Sequence, residues 1–375
     1  MGYFDVPPAV RAFYQWGTVA VPILEARAGG VAPRTLDISF RHRGRCVHET
    51  DGFSKRLEEL QTTTRVIASG GYAFEIAEVN RASSSTATLQ VSTYRSSITG
   101  NPGNAAELAY EDQGRRLVYV SSLGQGRTSP LTNSEKRRFA RTGSLLCDER
   151  GRADPLPVCH ALQSALEREG VEVVALRSDS SGRLLTSALG WCLPPSSLIS
   201  ILHNATPNVG SLTRLRLTAR LLAEDYAWAR GMAKRSPDCD RIDSLLRRDI
   251  ADALPSLYGR HRGKRHGGNV KMAEANLRGL ARPSRHMQTG AAVSDLALVH
   301  EKHPHAVCAL VFGSLDPLFA GVSRGELLLS LAELSRAGDG AVRCAVVAGA
   351  RHNAHTAYPH FYRELEDALT TTRDA

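Results

Sequence analysis

No apolar run in this 375-residue sequence reaches the length of a membrane span, about 20 residues, so no helical membrane anchor is expected. The opening stretch, MGYFDVPPAVRAFYQWG, has no basic start followed by an apolar segment, so no secretory leader is expected and the cytoplasm is the expected location. The seven cysteines are odd in number and scattered without a CxxC pair. That removes a disulfide framework and a zinc knuckle and leaves buried, reduced thiols as the expectation. His300, His303, His305, His352 and His355 cluster late in the chain, but there is no HExxH and no paired spacing on one helix. His303 and His305 are read as marking a return to the core. Neither GQG (124–126) nor the basic GRHRGKR (259–265) comes with a P-loop lysine pattern or a strand-GxGxxG-helix context. No metal or cofactor is therefore expected.

Lysine is scarce as well, so the net charge of +9 is carried overwhelmingly by arginine. An arginine-rich surface favours an anionic neighbour such as phosphate, nucleic acid, an acidic polymer or lipid headgroups. A GC-rich genome writes the same excess of Arg, Ala and Gly, and both readings stay open. With 42% hydrophobic and 23% charged residues the balance is globular, and the length suits one α/β core with an insertion or extension.

Within that frame, one stretch organises the rest. VEVVALRSDSSGRLL (171–185) runs apolar and β-branched, turns through small and polar residues, and resumes as a helix-like pattern. A buried strand followed at once by such a turn can present Ser180 at its apex, above the carboxyl end of a sheet and at the N-terminus of a helix. Upstream, residues 1–60 carry an aromatic cluster (Phe13, Tyr14, Trp16) and an isolated strand-like run at 35–40, and read as an extension packed on the core or on a partner. Three β-rich runs follow between residues 64 and 94, separated by Gly-Gly and a Ser-rich turn, and predict an antiparallel or mixed sheet edge. Next come a Gly/Pro loop, a short helix, the strand RRLVYVSS and a Gly-rich loop. PLPVCHALQSALEREG (155–170) has apolar residues at helical spacing and ends at glycine, which predicts a crossover helix before the strand at 171. Residues 197–203 predict the next strand. From 204 to 303 the chain is helical, Arg-rich and broken by Gly and Pro, and reads as a cap insertion whose densest basic segment, 259–271, is a solvated loop or an anion-binding lid. Alternation resumes with HAVCALVFGSLDPLF, a helix, AVRCAVVAGA, RHNAHTAYPHF and a final amphipathic helix. Strand-loop-Asp and strand-loop-His after strand-elbow-Ser give the chain order Ser, Asp, His.

Over roughly residues 64–203 and 305–375 the sequence resembles the α/β-hydrolase superfamily. GNPG (100–103) is similar to the family's HG-x-P loop, and SSLGQGRTSPL (121–131) to its D-x-x-G-x-G-x-S loop with Ser121 where aspartate is usual. SDSSG is similar to the elbow G-x-S-x-G with Ser178 in place of the first glycine; GSLD (313–316) resembles the loop that carries the acid, and ARHNAHTAYP the loop that carries the histidine. The proline at 359 stands at the family's distance from His352 and not from His355.

The resemblance implies an α/β-hydrolase fold, with a mostly parallel central sheet flanked by helices. Its divisions are an N-terminal extension (1–60), a first core part (61–203), a helical cap (204–303) and a second core part (304–375). It implies Ser180 as nucleophile, His352 as base, Asp316 as its orienting acid, and the backbone N–H groups of Ser181 and Asn101 as the oxyanion hole, with Tyr94 or Arg95 as alternatives for the second. The expected partner is a small-molecule or lipid-like ester, although Arg177 and Asp179 beside the nucleophile bring charge that sits poorly with a lipid-like one. Two other classes stand beside this expectation. One is an inactive binding or structural module built on the same fold. The other is an anionic-polymer binder using the arginine surface or the basic cap.

Overall fold

Gly70 and Gly71, the pair between the first two β-rich runs, both have positive φ, +55° and +82°. A two-residue turn of this kind needs positive φ at both central positions, which is why glycines stand there. It folds Tyr72 back onto Ser69 and starts the sheet. The computed structural model describes residues 18–27, 30–39, 63–79, 84–91, 98, 116–124, 126–179, 182–194, 199–203, 289–313, 342–347, 350, 355 and 358–371. The strands are β1 (Thr18–Arg27), β2 (Gly30–Ser39), β3 (Arg65–Ser69), β4 (Tyr72–Val79), β5 (Thr86–Val91), β6 (Arg116–Val120), β7 (Glu172–Asp179), β8 (Ile199–His203), β9 (Val307–Gly313) and β10 (Val342–Val347). The helices are α1 (Asn133–Thr142), α2 (Pro157–Arg168), α3 (Arg183–Cys192), α4 (Thr289–Lys302) and α5 (Pro359–Thr371).

All these strands form one sheet in the order β2-β1-β10-β9-β8-β7-β5-β6-β4-β3. From β6 through β5, β7, β8 and β9 to β10 every pairing is parallel. Antiparallel pairs close both edges, β3-β4-β6 at one and β10-β1-β2 at the other. The expected class, a mostly parallel sheet with flanking helices, is the one observed. The strands β3, β4, β5, β6, β7, β8, β9 and β10 each coincide with a stretch whose composition predicts a strand.

Strand alternation divides β7 into two faces. Leu176 points into the main apolar core, with Leu89, Val118, Leu162, Leu185 and Leu189. Each such leucine, taken fully out of water, contributes about 1.5–3 kcal/mol before conformational entropy is set against it. α2 packs on β3 and on α3, and α3 packs on β7 and on α4. The opposite face carries Arg177 and Asp179, whose partners Glu366 and His355 lie in α5 and just before it.

α1 is polar (NSEKRRFART) and gave no periodic signal, but it is held by its ends. Thr132 and Glu135 form a reciprocal capping box, and Gly143 closes the helix at φ +71°. The second carboxylate oxygen of Glu135 accepts the Val158 N–H at 3.0 Å, so one side chain serves the starts of α1 and α2.

Two stretches near the expected divisions of the chain lie against the core. The segment read as an extension supplies β1 and β2, which continue the core sheet beyond β10. A strand at the end of a parallel array presents unpaired N–H and C=O groups, and the hairpin covers them. Residues 289–302, inside the range read as a cap, form α4, which packs on α3 and leads through the buried His303 into β9.

Candidate active site

Parallel strands bring their carboxyl ends to one edge. β7 ends at Asp179, β9 at Gly313 and β10 at Val347, so Ser180, Asp316 and His352 follow those ends by one, three and five residues. β5 lies between β6 and β7, so the chain steps outward after β5 and returns on its other side at β7. In open α/β sheets ligands bind at such a reversal, outside the carboxyl ends of the strands. Ser180, Ser181, Asn101, Asp316 and His352 themselves lie outside the described residues, as do Tyr94, Arg95 and the basic segment 259–271. The structure fixes the strand and helix ends that lead into them.

The turn after β7 is short. Asp179 closes the strand, α3 opens at Arg183, and its N-cap is Gly182, with no side-chain cap hydrogen bond. Gly182 has no side chain with which to cap the first-turn N–H groups of α3, and the positive end of the helix faces the edge where β7 stops.

The loop that follows β5 is anchored at Ile98, three residues before Asn101. Ile98 is buried, and its N–H donates to Ser121 Oγ at 3.1 Å. Ser121 Oγ in turn donates to Glu75 Oε2 at 3.0 Å, and that oxygen also accepts the Arg127 N–H at 3.3 Å. The Glu75 N–H donates to Thr128 Oγ1 at 2.9 Å. Where the family pattern has an aspartate at position 121, this protein has a serine, and a buried carboxylate arrives from β4 instead. Sequence reading missed Glu75, although a glutamate inside the apolar run YAFEIAEV was a visible sign of it.

Arg177 and Asp179 do not bring free charge to the mouth of the turn, as their sequence position suggested. Arg177, 4% exposed, pairs with Glu366 of α5 at 2.5 Å. Asp179 Oδ2 stands 3.9 Å from His355 Nε2, with both side chains buried and the His355 ring edge-on to Tyr362 at 6.1 Å. These contacts tie the end of β7 to the segment that follows His352. Ser178, where the elbow pattern has glycine, is 1% exposed, and its hydroxyl has no hydrogen-bond partner among the described residues.

On the α3 side, Asp295 of α4 is buried and accepts from Ser144 Oγ at 3.0 and 3.1 Å and from Cys147 Sγ at 3.0 Å. Burial, reinforced by Asp295, pushes the Cys147 thiol well above its ordinary range. Arg183 is 5% exposed, and burial pulls its guanidinium below the ordinary value while Asp295 opposes the shift.

Among the described residues no group of three His, Cys, Asp or Glu side chains is placed to hold a metal, and no helix is long and apolar enough to cross a membrane. Cys147, Cys159, Cys192, Cys308 and Cys344 are buried and form no disulfide among the described residues.

No family profile matches the sequence, and no curated protein does. Among solved structures, the chain is similar to an α/β hydrolase fold protein from Chitinophaga pinensis, at 14% identity and TM-score 0.45 over 82% of this chain and 97% of that one. It is also similar to an E-2-(acetamidomethylene)succinate hydrolase, at 17% identity and TM-score 0.47 over 83% and 99%. An esterase from Rhodococcus sp. ECU1013 gives 14% identity and TM-score 0.44 over 82% and 99%. Strand order and direction, with the short turn after β7, decide the architecture. This is the α/β-hydrolase fold. In that fold the edge described above is where catalytic groups gather, and one fold hosts many chemistries.

Proposed function

We propose that this protein is a serine hydrolase acting on an ester-like bond, with Ser180 as nucleophile, His352 as general base and acid, and Asp316 orienting the histidine. One observation supports the reading above all: between the end of β7 and the start of α3 there is room only for residues 180–182, the tight strand-turn-helix that holds a nucleophile above a sheet edge. A serine hydroxyl is a poor nucleophile near neutral pH, so it needs a base within hydrogen-bond reach and a carboxylate that fixes the base's tautomer. Loops after β9 and β10 open on the same edge and carry the two candidates. His355 is engaged with Asp179 beneath α5, which supports His352 as the base.

In the proposed reaction the Ser180 oxygen bonds to the acyl carbon as His352 takes its proton. The N–H groups of Ser181 and Asn101 receive the charge on the carbonyl oxygen. The bond to the leaving alcohol breaks, and that alcohol takes the proton from His352. Water, deprotonated by the same histidine, then attacks the acyl-enzyme; the bond to the Ser180 oxygen breaks, that oxygen takes the proton back from His352, and the acid leaves. The segment 204–303, which contains α4, is the proposed cap insertion.

Hydrolysis of p-nitrophenyl esters tests the proposal. Ser180→Ala and His352→Ala are each expected to lower kcat by about 10⁴-fold or more. A Ser180→Ala protein as active as the parent contradicts it.

A further inference from the structure

We propose that Arg183, at the first turn of α3, binds a carboxylate of the substrate, so that the preferred esters carry a free carboxylate on the acyl chain. This rests on Ser180 as the nucleophile, three residues before it.

Arg183 is 95% buried, yet among the described residues no hydrogen bond and no ion pair reaches its guanidinium. Among the described residues the opposite charge acting on it is Asp295, whose oxygens are engaged by Ser144 and Cys147. Other buried arginines have a carboxylate partner: Arg116 donates to Glu78 at 2.9 Å, and Arg177 pairs with Glu366. A guanidinium taken out of water without a partner is costly, and a ligand that completes its hydrogen bonds removes that cost. Helical side chains lean toward the helix N-terminus, so the first residue of α3 leans toward the edge where β7 ends. The N–H groups of the same turn, which Gly182 has no side chain to cap, favour an anion there. A planar fork of donors matches a carboxylate in two parallel bonds. Asp295 sets the charge of that ligand. With one negative charge already near Arg183, a monoanion is tolerated where a phosphate dianion is repelled.

The test compares p-nitrophenyl hydrogen glutarate with p-nitrophenyl valerate, which share an acyl chain length and differ in the terminal carboxylate. For the parent the ratio of kcat/KM values is expected to favour the anionic ester by about ten- to a hundred-fold, the range of a charge-assisted hydrogen bond. Arg183→Gln is expected to erase that preference and Arg183→Lys to keep part of it. Glutarate is expected to raise the melting temperature of Ser180→Ala and not that of the Ser180→Ala, Arg183→Gln double variant. A parent that hydrolyses both esters equally, or a preference that survives Arg183→Gln, overturns the inference and leaves the serine hydrolase reading standing. No hydrolysis of either ester, with glutarate binding that depends on Arg183, keeps the anion site and sinks that reading. Neither hydrolysis nor glutarate binding overturns both. If Arg183→Gln does not fold, the parent's ratio decides alone.

Discussion

Two arginines stand three residues to either side of Ser180, equally buried and differently kept. Arg177, on β7, is 4% exposed and closes on Glu366 of α5 at 2.5 Å. Arg183, on α3, is 5% exposed and among the described residues has only the longer-range field of Asp295. A buried charge with a partner in the same chain is a structural clamp, here between β7 and α5. A buried charge left without one, at the edge where the strands end, is the kind of group a ligand completes.

The sharpest way to break that contrast is to remove partners. Glu366→Ala removes the carboxylate on which the buried Arg177 closes and is expected to destabilise the fold by about 3–5 kcal/mol, whereas Arg177→Met combined with Glu366→Leu is close to neutral. Arg183→Met strands no tightly paired carboxylate and is expected to cost under about 1 kcal/mol. Urea denaturation measures all three. Equal losses for Glu366→Ala and Arg183→Met would make Arg183 a second structural clamp.

A smaller effect extends the comparison to β4. Burial alone would raise the Glu78 carboxyl, but Arg65 and Arg116, each 2.9 Å away, hold it below its ordinary 4.5. A depressed carboxylate contributes stability at pH values above its unfolded pKa and loses it as pH falls through the folded one. The parent's urea midpoint should therefore exceed that of Glu78→Gln at pH 7 and converge with it as pH drops below 4.5. A constant gap across that range would remove Glu78 from the set of paired charges.

Much of the frame was legible because its signals are local. Gly70-Gly71 marks a hairpin, Pro157 and Gly170 bracket α2, and the apolar runs of β7 and β9 read as buried strands. Neighbour relations were not legible. Nothing in RLVYV says that β6 slots between β4 and β5, because pairing order depends on contacts far apart in sequence. β1 was missed for a local reason. Pro22 has no N–H and argues against an interior strand, and it stands just outside Ile23, Leu24 and Glu25, the residues that β1 pairs with β10.

The candidate site divides the same way. Motif spacing put Ser180 in the turn between β7 and α3. The partners Glu75, Glu366 and Asp295 come from distant elements and belong to no motif, and the isolation of Arg183 is visible only once its neighbours are in place.

The most direct measurement of the central claim is to treat the folded protein with a fluorophosphonate and locate the adduct by peptide mass spectrometry. Such probes modify a serine only where a base has activated it. The account predicts one adduct, on Ser180, absent from the His352→Ala variant. An adduct on another serine, or none on the folded protein, would contradict it.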